Sequence, residues 1–228
     1  MKALIVVTSA DHLDEAHPTG VSLEEYAVLF TALCEAGIDP EVASPQGGAA
    51  PIDPRTAPDE AAKARWRRAL DTLADTRPLG GVRGDDCQAL IFPGGHGLLI
   101  DLAADGRVAD LATAFAASGR VIAALCHGPA ALLGAKGRDG APLVAGRKLT
   151  AFTNGEETLG GLQTVVPFLL ETRLREAGAQ FEHALLPGGS HVTCDGDLLT
   201  GQNPASGDAL ARVLLKELGQ RQRVAMQA

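Results

Sequence analysis

The protein has 228 residues, of which 46% are hydrophobic and 21% charged, the composition of a globular domain that can bury a full core. Its net charge of −8 argues against binding to nucleic acid, whose phosphates require clustered Lys and Arg. We find no apolar run of the ~18 residues that a membrane span needs and no secretory signal pattern, so we expect a cytoplasmic protein with reduced cysteines.

The first part of the chain predicts a strand, a helix and a second strand. Ala3–Thr8 is a short apolar run typical of a buried strand, and Glu41–Ser44 predicts another. Ser22–Ala36 carries apolar residues at helical spacing. Ser22 is a candidate N-cap, and Glu25 stands three residues later, as in a capping box.

The next segment is expected to lie outside the sheet. Pro45–Pro58 is rich in Pro and Gly and predicts a loop, whereas Asp59–Ala74 predicts a helix. Basic residues cluster over Lys63–Arg68. In an acidic chain we interpret them as the solvated face of that helix.

Strands and helices continue to alternate to the end of the chain. Further strands are predicted at Cys87–Pro93, Val121–Leu125, Leu149–Phe152, His191–Cys194 and Leu198–Thr200. Further helices are predicted at Val108–Ala117, Pro129–Ala135, Val166–Ala177 and Ser206–Leu218, the last ended by Gly219 and followed by a frayed tail. This alternation predicts an α/β fold with a mostly parallel sheet, and the absence of a linker predicts one domain over residues 1–228.

The strongest chemical signal is a cysteine between a strand and a helix. Val121–Leu125 ends at Cys126, and Pro129 fits the first turn of a helix, so only a tight turn containing Gly128 can join them. This pattern predicts a nucleophile elbow with cysteine in the place of serine. A helix N-terminus beside the sulfur would lower the pKa of the Cys126 thiol. The alternative is a buried structural cysteine with His127 at the surface.

Adjacent glycines follow another predicted strand. The backbone N–H groups of Gly94 and Gly95 could approach a substrate oxygen and, with the His127 amide, form an oxyanion hole. The alternative is a plain turn. Glu25 lies at the same end of the sheet and could exchange protons with the sulfur, although the residues alone favour a helix-capping role.

Two other polar segments are interpreted as structural. One carries acidic and histidine side chains without a recognised ligand spacing, so we predict a polar loop and no metal site; its residues are Asp11, His12, Asp14, Glu15 and His17. The other is the turn Gly201–Ser206, with Ser206 as the N-cap of the last helix.

Several stretches, in order along nearly the whole chain, resemble the PfpI/ThiJ superfamily of glutamine-amidotransferase-like proteins. Within it, the chain is similar to the heat-shock chaperone-like glyoxalase III branch. The matching stretches are Thr19–Glu25, Gly94–Gly97, Leu125–Pro129, Phe152–Glu157 and Thr200–Ser206. The resemblance implies a flavodoxin-like three-layer sandwich with a small cap within about residues 54–78.

The resemblance also implies a site. It pairs Cys126 with His127 and an acidic third member, which we assign to Glu157, with Glu156 as the rival. It places Glu25 beside the sulfur, contrary to the capping interpretation. No cofactor and no metal are implied, and a homodimer is expected.

The implied reaction is conversion of methylglyoxal or glyoxal to the 2-hydroxy acid without glutathione. Two alternatives stay open: a cysteine-dependent deglycase or amidohydrolase, and a stress chaperone or redox sensor without turnover. Ammonia transfer is not expected, because His183 and His191 lack the glutamate two residues later that amidotransferases use.

Overall fold

A computed structural model describes residues 1–225 of the protein. The helices of the described chain are α1 (Leu23–Glu35), α2 (Glu60–Arg65), α3 (Arg67–Leu73), α4 (Gly106–Ser118), α5 (Asn154–Leu159), α6 (Leu170–Glu176) and α7 (Gly207–Ala225). Its strands are β1 (Lys2–Val6), β2 (His12–Asp14), β3 (His17–Pro18), β4 (Asp39–Ser44), β5 (Arg77–Pro78), β6 (Cys87–Phe92), β7 (Val121–Leu125), β8 (Lys148–Leu149), β9 (Gln180–Phe181), β10 (Val192–Asp195) and β11 (Leu198–Gly201).

Seven of the strands form a central sheet in the order β10-β11-β7-β6-β1-β4-β5. Neighbouring strands are parallel except for β10, which runs antiparallel to β11. The prediction of a mostly parallel α/β sheet is therefore confirmed. Because β7, β6 and β1 are parallel, the loops that follow them meet at one edge of the sheet, where open α/β sheets bind ligands.

Each face of the sheet buries its own apolar cluster, because side chains alternate along a strand. On β1, Leu4 joins the cluster under α4 and α6, whereas Ile5 joins the cluster under α1, α3 and α7. The sheet is thus covered by helices on both faces, as the flavodoxin-like sandwich requires. Within the described residues, no helix combines the length and the apolar character that a membrane crossing demands.

Several predicted helices have different bounds in the structure. The helix expected over 59–74 is two short helices separated at Trp66, whose φ and ψ of −108° and 23° are not helical. The helix expected over 166–177 begins only at Leu170, because Pro167 disfavours the helical conformation in the residue before it. The helix expected after Cys126 is a 3₁₀ turn over Gly128–Leu132.

The remaining differences lie toward the end of the chain. Helix α7 continues through Gly219, at a cost of about 1 kcal/mol for a helical glycine, so the predicted end there was wrong. Residues 226–228 of the expected frayed tail lie outside the described residues. The strand expected over 149–152 ends at Leu149, because the Thr150 amide donates to the Thr200 side chain and the backbone turns toward Cys126.

Candidate active site

Cys126 occupies a strained turn between β7 and the 3₁₀ turn that follows. Its φ of 59° is the one positive value among the non-glycine residues of the described chain. The turn is held from two sides: the Cys126 amide donates to the Gly201 carbonyl at 2.8 Å, and its carbonyl accepts from the Phe152 amide at 2.9 Å. A Cβ on Gly128 would lie 2.2 Å from the Phe92 carbonyl oxygen, so only glycine fits there. The geometry is that of the predicted nucleophile elbow.

A hydrogen-bonded chain runs from the sulfur through His127 to Glu157. The Cys126 Sγ lies 3.3 Å from His127 Nδ1, and His127 Nε2 lies 2.9 Å from Glu157 Oε2. All three residues are buried, with 4%, 1% and 3% of their surface exposed. The structure thus brings together the three residues that the sequence interpretation grouped.

The charges along this chain follow from burial and hydrogen bonding. Burial and the neighbouring His96 lower the pKa of His127 to about 4, so the ring is neutral at neutral pH. Burial alone would raise the pKa of Glu157, but hydrogen bonds from His127 and His96 outweigh it and lower that pKa to about 2. An ionised Glu157 only accepts, so His127 carries its proton on Nε2 and offers the Nδ1 lone pair to the sulfur.

The neighbouring Glu156 has a different environment. Its side chain accepts from the Thr153 amide and hydroxyl and so completes a capping box at the start of α5. Its other oxygen accepts from the Gly188 amide and from Asn203 Nδ2. Of the two rival glutamates, the structure therefore places Glu157 against His127 and Glu156 in the support of the surrounding loops.

Glu25 is a second buried acidic residue beside Cys126. Its Oε1 accepts from the Ser22 hydroxyl at 3.0 Å, and its Oε2 lies beside the Cys126 side chain. Burial raises the pKa of Glu25 to about 7. Ser22 makes no side-chain hydrogen bond to the backbone of α1, so the capping-box interpretation was wrong.

The pKa of the thiol moves in the direction opposite to the one predicted. Burial raises the pKa of Cys126, and the adjacent Glu25 carboxylate raises it further. The five-residue 3₁₀ turn that replaces the expected helix supplies too weak a dipole to reverse these effects. Because two buried negative charges side by side are costly, Cys126 keeps its proton near neutral pH when Glu25 is ionised.

The two glycines after β6 border the sulfur closely. A Cβ on Gly94 would lie 2.0 Å from Glu25 Oε2 and 2.7 Å from the Cys126 Cβ, so this glycine makes room for both side chains. Gly95 has a φ of 127°, and a Cβ there would lie 2.2 Å from the Gly20 carbonyl oxygen. The His127 amide faces the Cys126 sulfur. Of the residues predicted to form an oxyanion hole, Gly94 and the His127 amide therefore lie beside Cys126, and the Gly94 amide is directed at the Glu25 carboxylate.

Sequence reasoning missed a second set of residues behind Glu157. His96 Nε2 lies 2.8 Å from Glu157 Oε1, and its Nδ1 lies 2.9 Å from an Arg55 guanidinium nitrogen. Arg55 is in turn held by the buried Asp53. The signal available in the sequence was His96 itself, which directly follows the two glycines at the end of a strand.

His96, His127 and Glu157 also form a group of donor atoms that could hold a metal ion, all within 4.8 Å of one another. Each carboxylate oxygen of Glu157 already accepts from one imidazole. The acidic and histidine residues near the β2–β3 hairpin pair locally and are exposed: His12 with Asp11, and His17 with Asp14. Those pairs are not brought to the elbow.

The turn before α7 supports the surrounding loops, as its sequence suggested, but Ser206 acts differently from the expected N-cap. Its hydroxyl donates to Asn203 Oδ1 and accepts from the His191 amide. The residue belongs to a 3₁₀ turn over Pro204–Ser206.

Comparison with known proteins identifies relatives over most of the chain. The model of the DJ-1/PfpI family matches residues 17–217. The glutathione-independent glyoxalase HSP31 of Saccharomyces cerevisiae is 34% identical over 145 residues, an alignment that covers 61% of this chain and 61% of that protein. The glutathione-independent glyoxalase hsp3101 of Schizosaccharomyces pombe is 28% identical over 232 residues, covering 94% of this chain and 95% of that protein.

A solved structure has the same fold throughout. The X-ray structure of the Francisella tularensis Rapid Encystment Protein 24 KDa superposes with a TM-score of 0.89 at 31% identity, covering 95% of this chain and 98% of that one. The match to the Saccharomyces relative spans less than two thirds of that protein, whereas the other two matches are nearly end to end.

Proposed function

This chain belongs to the DJ-1/PfpI family, and we propose that it is a glutathione-independent glyoxalase, a glyoxalase III-type lyase that converts methylglyoxal or glyoxal to the 2-hydroxy acid. Two of its relatives carry the name of that activity. The observation that carries the proposal is a buried thiol in contact with both a neutral base, His127, and a protonatable acid, Glu25.

The burial of the site favours a small substrate. Cys126 exposes 4% of its surface and His127 exposes 1%. A two- or three-carbon dicarbonyl compound needs little room around the sulfur, whereas a glycated protein side chain carries a large polypeptide with it. The same burial strengthens every electrostatic interaction with the reacting atoms.

The first step is attack of the sulfur on the aldehyde carbon. The thiol proton passes to His127 Nδ1, whose lone pair faces the sulfur, and the imidazolium that forms is stabilised by Glu157. The C–S bond forms as the carbonyl π electrons move to oxygen. That oxygen is stabilised by the Gly95 and His127 amides and takes a proton to give a hemithioacetal.

The second step moves hydrogen between the two carbons of the substrate. Glu25 in its ionised form removes the proton from the former aldehyde carbon while the neighbouring carbonyl oxygen takes a proton, which gives an enediol. Glu25 then returns its proton to the neighbouring carbon, and the hydroxyl on the sulfur-bearing carbon gives up its proton as that carbon becomes the thioester carbonyl. Its pKa of about 7 suits both directions near neutral pH, because an acid–base catalyst works best with a pKa close to the operating pH. The product is a thioester of the 2-hydroxy acid on Cys126.

The last step is hydrolysis of the thioester. Water adds to the thioester carbonyl with His127 as the base, the C–S bond breaks, and the sulfur leaves with a proton as the resting thiol. The sum of the three steps is dicarbonyl plus water giving 2-hydroxy acid, with no external oxidant or reductant and no cofactor.

The deglycase and chaperone alternatives predict different behaviour. A deglycase or amidohydrolase would act on adducts with little turnover of free methylglyoxal. A chaperone would keep its function in Cys126→Ala, whereas a redox sensor would oxidise readily at Cys126 and would lose its response in that variant. The buried thiol and its raised pKa favour the glyoxalase over a sensor, since sensor thiols are exposed and acidic.

The remaining parts of the proposal concern the whole protein. They are a cytoplasmic location, a homodimer, and a cap formed by residues 54–78 that restricts access to the sulfur. Arg55 lies in this segment and reaches His96, which supports a role for the cap in completing the site.

The deciding assay is purified protein with methylglyoxal and no glutathione, with lactate as the measured product. The proposal expects lactate from the native protein and loss of at least ~10³-fold in Cys126→Ser, the scale seen when a catalytic nucleophile is removed. No lactate from the native protein, or full activity in the variant, would overturn it.

A further inference from the structure

In the proposed reaction only one of the two carboxylate oxygens of Glu157, the one bound to His127, has a role. Oε2 accepts from His127, and Oε1 accepts from His96 at 2.8 Å. The two imidazole rings lie with their centroids 3.9 Å apart and are tilted by 39° to each other, and His96 exposes only 9% of its surface. A second buried imidazole on the catalytic carboxylate needs an explanation, because it competes with His127 for the same negative charge.

The contact with Arg55 determines the protonation of His96. A guanidinium group has only donors, so the His96 Nδ1 that lies 2.9 Å from it must present a lone pair. His96 is then neutral with its proton on Nε2, and that proton is donated to Glu157 Oε1. The proton positions from Arg55 through His96 to Glu157 Oε1 are thereby fixed by one permanent donor.

Arg55 is held in place by Asp53. The Arg55 backbone amide and Nε both donate to Asp53 Oδ1, at 2.9 and 3.0 Å, and the guanidinium Nη2 donates to Asp53 Oδ2 at 2.6 Å. Asp53 Oδ2 also accepts from Thr19, and the Asp53 amide donates to the Val21 carbonyl. The guanidinium group therefore reaches His96 from a fixed position on a loop that is bound to the chain before α1.

We propose that Arg55 and His96 are positioning residues that keep Glu157 ionised and oriented and so hold His127 in the tautomer that accepts the Cys126 proton. Without Arg55, the His96 ring loses the donor that fixes the lone pair on Nδ1, so it can carry its proton on that nitrogen instead and present no hydrogen to Glu157 Oε1. The ionisable groups that face His96 from the elements packed against it are Arg55, with Asp53 behind it, Glu157 from α5 and His127 from the elbow. The inference deepens the proposed function and rests on it only in taking Cys126 as the reactive group.

The chain contains a matched control for this arrangement. Arg107 is clamped by Asp105 through the same three donors as Arg55 by Asp53, again two residues apart in sequence. The two arginine side chains are similarly exposed, 49% and 46%. Arg107 donates otherwise to the Pro45 carbonyl and has no contact with His96. Replacing Arg107 therefore removes an arginine–aspartate pair of the same geometry without touching His96, whereas replacing Arg55 removes both the pair and the contact with His96.

The test compares Arg55→Met with Arg107→Met in two measurements that need no aldehyde substrate. The first is the ¹⁵N chemical shifts of the ring nitrogens of His96 and His127. The second is the rate at which iodoacetamide alkylates Cys126, followed by peptide mass across about pH 6–9, a range that spans histidine titration. We expect a neutral Nε2–H ring at His96 in the native protein and in Arg107→Met. In Arg55→Met we expect a fraction of the His96 rings to carry the proton on Nδ1, and alkylation of Cys126 to slow on the order of tenfold.

Two results would overturn the proposal. One is a native His96 that is an imidazolium or carries its proton on Nδ1, a measurement that does not depend on any variant folding. The other is equal alkylation profiles for Arg55→Met and Arg107→Met, which would mean that Arg55 only stabilises its own loop through Asp53. Absence of lactate in the native protein, together with the expected ring tautomers and alkylation profiles, would instead refute the glyoxalase assignment and leave this inference intact.

Discussion

The side chain of His127 reaches back to the residue directly before it, with Nδ1 3.3 Å from the Cys126 sulfur. Neighbouring residues rarely turn toward one another. Here the positive φ of Cys126 brings the two side chains to the same side of the chain, and Glu157 fixes the imidazole ring from behind. The strained backbone therefore positions the sulfur so that both its base and the substrate can reach it.

Replacing Cys126 with alanine is expected to abolish lactate formation while leaving the fold intact. The turn is held by two hydrogen bonds of the Cys126 main-chain atoms, which alanine keeps. Loss of turnover to the background rate, with an unchanged circular dichroism spectrum, is the expected outcome. The matched control is Cys194→Ala, which removes an exposed cysteine and should keep native activity. Comparable losses in both variants would contradict the assignment.

Replacing Glu25 with glutamine is expected to raise the free energy of unfolding at high pH and to lower the rate of lactate formation. Burial raises the pKa of Glu25 from 4.5 to about 7, so the folded protein binds this proton more tightly than the unfolded chain. The stability that Glu25 contributes is complete below pH 4.5 and is lost as the pH rises to about 7. Above that window the ionised carboxylate destabilises the fold by about 3 kcal/mol, which glutamine removes.

Denaturant unfolding at two pH values checks this prediction. The gain in the free energy of unfolding of Glu25→Gln over the native protein should be large at pH 8 and near zero at pH 4.5. A helix-capping role predicts the opposite sign, a loss of about 1 kcal/mol or less with intact turnover. A stability loss at pH 8 would therefore return Glu25 to the capping role.

The elbow could be predicted from sequence because its signals are local. A strand, Cys126, Gly128 and Pro129 follow one another within a few residues, and each constrains the same turn. The parallel sheet was predictable for the same reason, since strands and helices alternate along the chain. The residues alone brought Gly94 and Glu25 to the same end of the sheet as Cys126, but Glu157 joined them only through the family resemblance, because it comes from a separate segment of the chain, in α5.

What could not be predicted depends on contacts between distant segments. Arg55 and His96 are 41 residues apart, and nothing in the spacing of either indicates the other. The sequence also predicted a lowered pKa for the Cys126 thiol, whereas the folded site raises it. Burial and the Glu25 charge, which determine it, are properties of the folded site, whereas the helix dipole that was expected depended on a helix that is only a 3₁₀ turn.

The two adjacent glutamates of α5 allow a direct comparison. Glu157→Gln replaces one acceptor of His127 with an amide that can turn its NH₂ group to the ring, and so it favours the wrong tautomer. We expect kcat to fall by ~10²–10⁴-fold, the range in which misplacing a catalytic imidazole lies. Glu156→Gln should lower stability by about 1 kcal/mol through the capping box and leave kcat nearly unchanged. Steady-state kinetics and thermal unfolding of both variants provide the check; the reverse pattern would make Glu156 the third member.

Gly94→Ala tests whether the space beside the sulfur is required. A Cβ there would overlap the Glu25 carboxylate and approach the Cys126 Cβ, and both are side-chain atoms that must move together. Over-packing of this kind costs about 1–3 kcal/mol, and here it also separates Glu25 from the sulfur. We expect loss of most turnover and a lower melting temperature. Gly81→Ala is the matched control, because its Cβ would meet no atom within 4 Å, and its effect should stay within about 0.5 kcal/mol.

The burial of Cys126 makes a prediction about substrate size. With 4% of the residue exposed, the sulfur can be reached by a dicarbonyl compound but not by a bulky one unless the surrounding loops move. We expect kcat/KM to fall along the series glyoxal or methylglyoxal, then phenylglyoxal, then a methylglyoxal adduct on a peptide lysine. The fall reflects exclusion from a closed site rather than lost reactivity, so the rate of Cys126 alkylation by small and bulky maleimides should follow the same order. A peptide adduct turned over faster than free methylglyoxal would favour the deglycase.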